Sequence, residues 1–239
     1  MPFPMNRLRA FFPLLALVTI GIVMLASGAL RHFDPHHIAA EQASLKALIA
    51  AHPVLAGLAQ VALVMAAIAT GLPGALVIVL AGGMLFGIVV GTLLSSIGTT
   101  LGALVLFLAS RSAFAQGGGT APALVERLRS GYRAHPASYA LFLRLVPFFP
   151  YGAVTVALAW LRCPLWLFLL TSAIGGSVMI GFETALGAGL TETIAIQGGV
   201  TPSLFTQPRV LLPVLGMALL ALLPVVLGRL KVLRAGARG

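Results

Sequence analysis

The sequence contains very few charged residues. Only 8% of its 239 residues are Asp, Glu, Lys or Arg, and just five of them are acidic. A soluble domain carries about 25% charged residues, so the composition excludes an ordinary water-facing surface. In contrast, 59% of the residues are hydrophobic, and several apolar runs reach the roughly 18–20 residues needed to cross a bilayer. The chain is therefore predicted to be an integral membrane protein.

Cysteine is also nearly absent. Cys163 stands alone, which excludes an intramolecular disulfide and leaves the redox compartment open. The formal charge of +10 would suggest nucleic acid in a soluble protein. Here the arginines lie beside apolar segments, which is typical of topology signals and lipid-headgroup contacts. We predict anionic membrane lipids as partners, and no nucleic acid.

The first apolar run extends from Phe11 to Leu30 and follows two arginines. A signal peptide has a shorter apolar core, about 7–15 residues, so an uncleaved transmembrane helix is favoured. The small residues 26–29 keep cleavage open as an alternative. The polar segment 31–52 follows, and a helix on the membrane surface is predicted within it. Its residues Asp34, His36, His37 and Glu41 lack the spacing of a metal motif, so no metal site is predicted.

Two later apolar stretches are interrupted by proline at corresponding places. The first break is Pro73-Gly74, and the second runs from Pro147 to Pro150. A shift of 77 residues places Pro73 on Pro150, and it also pairs Ser95 with Ser172 and Gly98 with Gly175. Hydrophobic segments interrupted at matching points of two halves indicate a transporter-type site near the middle of the membrane.

The pieces beside these breaks are too short to span a bilayer. Ala75 to Phe86 has about 12 residues, or roughly 18 Å of helix, against ~30 Å of hydrocarbon. The segments 137–146 and 151–161 are shorter still. Full spans are predicted for 88–110, 164–190 and 210–227. The short pieces therefore predict re-entrant hairpins.

The basic loops support this topology. If both broken segments are hairpins, the N-terminus, the loop 111–133 and the C-terminal tail all lie in the cytoplasm, as basic loops should. One kinked span over 137–161 would instead place the basic tail outside. We predict an all-α integral membrane protein with an inverted repeat of re-entrant helical hairpin plus transmembrane helix, and flanking N- and C-terminal transmembrane helices. Its parts are residues 1–53, 54–190 and 191–239.

Several motifs resemble a known family. They are Ala81-Gly82-Gly83-Met84-Leu85-Phe86-Gly87 followed by Gly91, the preceding Pro73-Gly74, and Arg144-Leu145-Val146-Pro147-Phe148-Phe149-Pro150. In this order and at this separation they resemble the DedA-like superfamily, in its VTT-domain (SNARE-associated Golgi protein) branch, over roughly residues 54–190. The resemblance implies a bacterial inner-membrane protein with paired re-entrant helices that moves or scrambles phosphate-bearing lipids. Gly152, Thr155 and Val178-Met179 depart from the family pattern, and these departures concern the substrate rather than the architecture.

Arg144 is the first candidate for binding the lipid phosphate. An arginine at the centre of a membrane helix costs about 2.5–3.5 kcal/mol and needs a partner or a wet cavity. Phosphate suits a guanidinium because it accepts two parallel hydrogen bonds. The alternative is that Arg144 reaches the cytoplasmic interface as a topology marker. Arg111 is the second candidate, although a helix-end arginine also contacts headgroups and the last carbonyls. Arg162 is interpreted as an interfacial anchor.

Glu183 is the only acidic residue within a predicted span. It shares one helix face with Gly175, Met179 and Gly187, and this face of small residues should pack against protein. Burial favours the neutral carboxyl, which makes Glu183 a candidate for proton exchange. The alternatives are a neutral carboxyl hydrogen-bonded to a neighbouring helix, or a hydrated one near the outer interface.

The glycines are predicted to serve packing and bending. Gly91, Gly98 and Gly102 share a helix face with Ser95, and such a face allows close helix contact. The segment from Gly82 and Gly83 through Phe86 to Gly87 is predicted to permit the bend into the next span. Gly175 belongs to the packing face of the second half.

The predicted function is a transporter or scramblase for anionic, phosphate-bearing lipid in the bacterial inner membrane, with cytoplasmic termini. No cofactor is predicted, and a homo-oligomer is left open. The alternatives are an assembly or sorting factor, or an intramembrane lipid-modifying enzyme. An enzyme is disfavoured because all five histidines lie outside the predicted spans, so Glu183 has no companion base there.

Overall fold

The computed structural model describes residues 5–26, 41–71, 74–117, 123–146, 149–197, 207–220 and 222, and these form helices and connecting turns without strands. The helices, in chain order, are α1 Met5–Ala26, α2 Gln42–Ala51, α3 Pro53–Ala69, α4 Ala75–Gly117, α5 Ala123–Ala134, α6 Pro136–Leu145, α7 Tyr151–Trp160, α8 Leu165–Gln197 and α9 Pro208–Leu220. The prediction of an all-α membrane protein is confirmed. In the described part, segments 75–115 and 165–191 are each long and apolar enough to cross a membrane.

The flanking segments agree with the predicted helices as far as they are described. Helix α1 has 22 residues and packs against α4. Helix α2 meets α3 at 112°, which suits a helix lying across the end of a membrane hairpin. Helix α9 covers part of the span predicted for 210–227. Asp34, His36, His37, Pro73, Pro147 and the basic tail lie outside the described residues.

The first hairpin consists of α3 and the first part of α4. Helix α3 ends at Ala69, and the Thr70 hydroxyl donates to the Ala66 carbonyl oxygen at 2.9 Å. Helix α4 then has two parts, because Gly87 has φ 75° and ψ −177°. That backbone conformation is readily available only to glycine. Residues 75–86 therefore form a separate short helix before the long segment 88–117, as the motif 81–87 predicts.

Contacts fix the direction of each part of the first hairpin. Gln60 of α3 donates to the Ile78 carbonyl oxygen and to the Ser95 hydroxyl, both at 3.2 Å. Further along α3, Val64 lies against Gly98, and Ile68 against Gly102. Residue numbers thus rise together along α3 and 88–117, so these two run parallel. Segment 75–86 connects the end of α3 to the start of 88–117 and runs antiparallel to both.

One of these contacts has a counterpart 77 residues later, in the second half. Val64 against Gly98 corresponds to Leu141 against Gly175. The exposed faces also correspond: residues 89, 93, 97 and 101 match 166, 170, 174 and 178, and all eight are large apolar side chains at least 41% exposed. Each long helix therefore turns one apolar stripe outward and packs its opposite face on its own hairpin.

The two hairpins have their bases at opposite ends of the long segment 88–117 of α4. The first base is at Gly87. The second lies beside the other end, where the Phe114 and Trp160 rings are 4.2 Å apart. About 27 residues, or roughly 40 Å of helix, separate these levels. Helices α4 and α8 run antiparallel, since Thr92 contacts Thr184 while Phe107 stacks on Phe168. Oppositely entering hairpins predict this arrangement.

Candidate functional site

Arg144 lies in the last turn of α6, just before the second break. Its side chain is only 3% exposed. One terminal nitrogen, Nη1, donates to the Thr155 hydroxyl at 3.1 Å and the Tyr151 carbonyl oxygen at 3.4 Å. The other, Nη2, donates to the Ser172 hydroxyl at 2.9 Å. The guanidinium is thus held by neutral groups from α7 and α8.

Aromatic rings enclose the same guanidinium. Its central carbon lies 4.0 Å from the Tyr151 ring centroid and 5.1 Å from that of Phe168. Ring faces attract a cation, most strongly when it is desolvated. The rings and hydroxyls therefore fix the orientation of Arg144 without neutralising its charge.

Arg144 has no acidic partner in the described part of the chain, where the one ion pair is Arg129–Glu126. Its Nε atom is buried and makes no hydrogen bond. A buried charge without a counter-ion, and a buried donor without an acceptor, are both unfavourable. The site therefore favours an incoming anion that accepts a hydrogen bond.

Arg144 lines a cavity of about 490 Å³. Both chain breaks contribute to its wall, through Gly71 of the first and Pro150 and Gly152 of the second. A methyl group built on Gly152 would lie 3.1 Å from the Gly71 Cα atom, so the two breaks touch. Most of the remaining lining is apolar. The cavity is thus formed where the two halves meet.

Glu183 lines the same cavity, but at a different level. The Arg144 Cβ packs against Gly175, and Glu183 is eight residues further along α8, about 12 Å of helix. The guanidinium points the other way, towards Ser172. Within the described residues Glu183 has no hydrogen bond or ion pair, so it does not act as counter-ion to Arg144.

The helix face that carries Glu183 packs against protein. A methyl group on Gly187 would collide with the Leu80 carbonyl oxygen, and Met179 is buried beside the cavity. The neighbouring Thr184 hydroxyl is 2.6 Å from that of Thr92. Sequence spacing alone predicts this inward orientation. It does not predict the cavity.

Arg111 does not line this cavity. Its side chain is exposed, and Nη1 donates to the Cys163 carbonyl oxygen at 3.3 Å. The stacked rings of Phe107 and Phe168, 4.1 Å apart, contact Arg111 on one side and Arg144 on the other. The structure thus places the two predicted phosphate ligands apart. Helix α4 also continues to Gly117, so Arg111 is not its last residue.

Sequence reasoning overlooked the residues that hold the guanidinium. In the sequence, Thr155 is recognisable only as a departure from the family pattern, and Ser172 only as a match of the repeat. The repeat does point to Ser172, because Ser95 and Ser172 occupy matching positions and both are fully buried. However, the residue 77 positions before Arg144 is Ala67, which is completely buried. The charged site therefore occurs in one half alone.

The glycines of the motif have two roles: one of them forms the bend, and the others allow close packing. Gly87 alone among those of the motif has positive φ. Gly82 faces the Gln60 amide and Ser95, Gly83 lies against the Thr184 backbone, and Gly91 lies against the Gly82 carbonyl oxygen. Phe86 is half-buried beside the bend. Most of this motif therefore serves close packing rather than bending.

Catalytic groups are scarce around the site. Cys163, in the turn between α7 and α8, is completely buried, and burial raises the pKa of its thiol. A protonated, inaccessible thiol is a poor nucleophile. The described residues contain no group of three or more His, Cys, Asp or Glu side chains arranged to hold a metal ion.

The fold and site define a class: a helical membrane protein whose broken helices meet around a buried cation. Residues 72–189 match the VTT domain family. The chain belongs to this family, and is a membrane protein of the DedA type, as its motifs predict. No curated protein and no solved structure matches it.

Proposed function

We propose that the protein moves anionic, phosphate-bearing lipids across the bacterial inner membrane, as a transporter or scramblase. The buried guanidinium of Arg144 carries the proposal. Arg144 lines a cavity between the two halves, lacks an acidic partner among the described residues, and retains one unused donor, Nε. A lipid phosphate supplies both the missing charge and the missing acceptor.

The second hairpin offers a further attraction for phosphate. Helix α7 begins at Tyr151, directly beside Arg144, and no side chain caps its first turn. The exposed N–H groups of a helix N-terminus carry a partial positive charge that favours anions. The anion would thus meet a guanidinium and a helix N-terminus together.

Glu183 has a separate role in this proposal. It lies on the same cavity, about 12 Å of helix beyond Gly175, in mainly apolar surroundings. A carboxyl there can take up or release a proton as the cavity becomes drier or wetter. Proton exchange at Glu183 would couple transport to a proton gradient without contact with the phosphate.

Two opposed re-entrant hairpins provide the route. We place the base of the first hairpin on the outer face and the base of the second on the cytoplasmic face, with both termini cytoplasmic. The separation of the two bases by roughly 40 Å of α4 supports this orientation. So does the basic character of the loop 111–133.

Cysteine labelling tests this topology. Single cysteines at His52 and Ile88 should react from the outside, and cysteines at His135 and Arg162 from the cytoplasm; all four positions are exposed. The native Cys163 is 0% exposed and should remain unlabelled. The reagent is a membrane-impermeant maleimide, applied to oriented vesicles before and after permeabilisation. Labelling of His52 and Ile88 positions from opposite sides would show that residues 53–87 cross the membrane.

The function is tested by reconstituting the purified full chain into liposomes. Fluorescent phosphatidylglycerol in the inner leaflet should become accessible to an external quencher, whereas protein-free liposomes protect about half of the probe. A diacylglycerol glycolipid without phosphate should move much more slowly, because it cannot pair with Arg144. Equal protection with and without protein would contradict lipid translocation.

A further inference from the structure

Helix α7 ends in an unusual way. The Arg162 amide donates to the Ala159 carbonyl oxygen at 3.1 Å, and the Cys163 amide donates to the Leu158 carbonyl oxygen at 3.0 Å. These two bonds form a Schellman motif with Arg162 at the position that glycine normally occupies. Its φ is 55°, and it is the one non-glycine residue with positive φ in the described ranges.

An arginine at this position is unfavourable for the backbone. The left-handed conformation suits glycine and strains residues that carry a Cβ atom. Such strain is found where the side chain has a function that offsets it. The Arg162 side chain is exposed and has no hydrogen bond or ion pair within the described chain. The helix end therefore gains nothing visible from this guanidinium.

A second arginine, Arg111, contacts the same turn. The Arg111 Nη1 atom donates to the carbonyl oxygen of Cys163, the residue directly after Arg162, at 3.3 Å. Arg111 is also exposed and has no acidic partner among the described residues. Neither arginine lines the Arg144 cavity. Arg111 and Arg162 thus both belong to the turn between α7 and α8, and neither side chain pairs with a carboxylate among the described residues.

Exposed apolar side chains follow this turn in the chain. Trp166 is 65% exposed and Leu165 is 40% exposed, at the start of α8. Tryptophan is enriched at the level of lipid headgroups, with charged groups on the water side. A ligand here would therefore meet guanidinium groups at one end and apolar surface at the other. A free phosphate ion offers only the first of these contacts.

We propose that Arg111 and Arg162 bind the phosphate headgroup of an anionic membrane lipid, at a surface site separate from the Arg144 cavity. The acyl chains lie along Trp166 and Leu165. This binding does not require that the protein translocate lipids, so a negative transport assay leaves it intact.

Arg162→Gly separates binding from folding. Glycine fits the left-handed position better, so the melting temperature of the full chain should stay the same or rise. Dioleoyl phosphatidylglycerol is titrated in detergent, and the bound lipid is counted by native mass spectrometry. The variant should need about tenfold more lipid than the wild type to reach half-maximal binding, as expected for losing a charge-assisted hydrogen bond. Arg162→Lys should retain much of the binding.

A control variant and two control ligands accompany this experiment. Arg127→Gly removes an exposed arginine elsewhere and should leave phosphatidylglycerol binding within about twofold of the wild type. Dioleoyl phosphatidylcholine and glycerol phosphate should bind weakly, because the first lacks net charge and the second lacks acyl chains. The proposal is overturned if Arg162→Gly binds phosphatidylglycerol like the wild type, if Arg127→Gly weakens it equally, or if glycerol phosphate binds as tightly as the lipid.

Discussion

Arg144→Ala is expected to slow translocation of phosphatidylglycerol by roughly tenfold to a hundredfold. A hydrogen bond to a charged group contributes about 1.5–3 kcal/mol, and each 1.4 kcal/mol is about a factor of ten. Alanine removes the guanidinium but leaves Thr155 bonded to the Tyr151 carbonyl oxygen at 2.9 Å. The liposome quenching assay measures the rate at equal amounts of reconstituted protein.

Stability and charge controls isolate the role of Arg144. Its removal takes away a buried charge without a counter-ion, so the melting temperature should not fall. Arg127→Ala deletes an equal charge from the exposed face of α5 and should translocate at the wild-type rate. Arg144→Lys should be intermediate, because a lysine cannot donate in the planar, bidentate manner of a guanidinium. Wild-type rates for Arg144→Ala would remove this residue from the mechanism.

Gly83→Ala is expected to destabilise the fold by about 2–3 kcal/mol, the upper range for overpacking. A Cβ atom at this position would overlap the carbonyl oxygen of Thr184, which belongs to the backbone of α8. Because no side-chain rotation relieves a clash with backbone, the first hairpin must shift away from α8. Thermal unfolding of the purified protein in detergent measures the change.

Gly181→Ala is the matched control, since it introduces the same methyl group on the same helix pair. Its nearest neighbour would be the Thr92 Cγ2 atom at 3.9 Å, an ordinary contact. The higher helix propensity of alanine should then stabilise the protein by about 0.5–1 kcal/mol. If both variants unfold at the same temperature, close approach of residues 75–86 to α8 does not govern stability.

Local sequence signals were sufficient to predict where the helices break and bend. Proline and glycine end helices for steric reasons that need no partner, so the breaks near Gly74 and Pro150 and the bend at Gly87 could be read from the chain. Segment lengths then predicted pieces too short to span, and α6 and α7 have only ten residues each. Apolar composition alone defined the protein as membrane-embedded.

The partners of the candidate site could not be read in this way. Arg144, Thr155 and Ser172 come from three different helices, and their meeting depends on how α6 and α7 fold back on α8. Arg111 looked equivalent to Arg144 because both are arginines beside apolar segments. Only packing distinguishes them, since one is enclosed by rings and hydroxyls and the other is exposed.

The sequence by itself determined the class of protein, the positions of the breaks and the arginine that we propose as the phosphate ligand. These follow from hydropathy, helix length and the cost of a cation in a membrane, which are local properties of the chain. The tertiary structure decided that the breaks meet around one cavity and that the guanidinium of Arg144 has no acidic partner among the described residues. It also separated Arg144 from Arg111 and Glu183, because distances between helices depend on contacts such as Gly83 on Thr184 that no local pattern specifies.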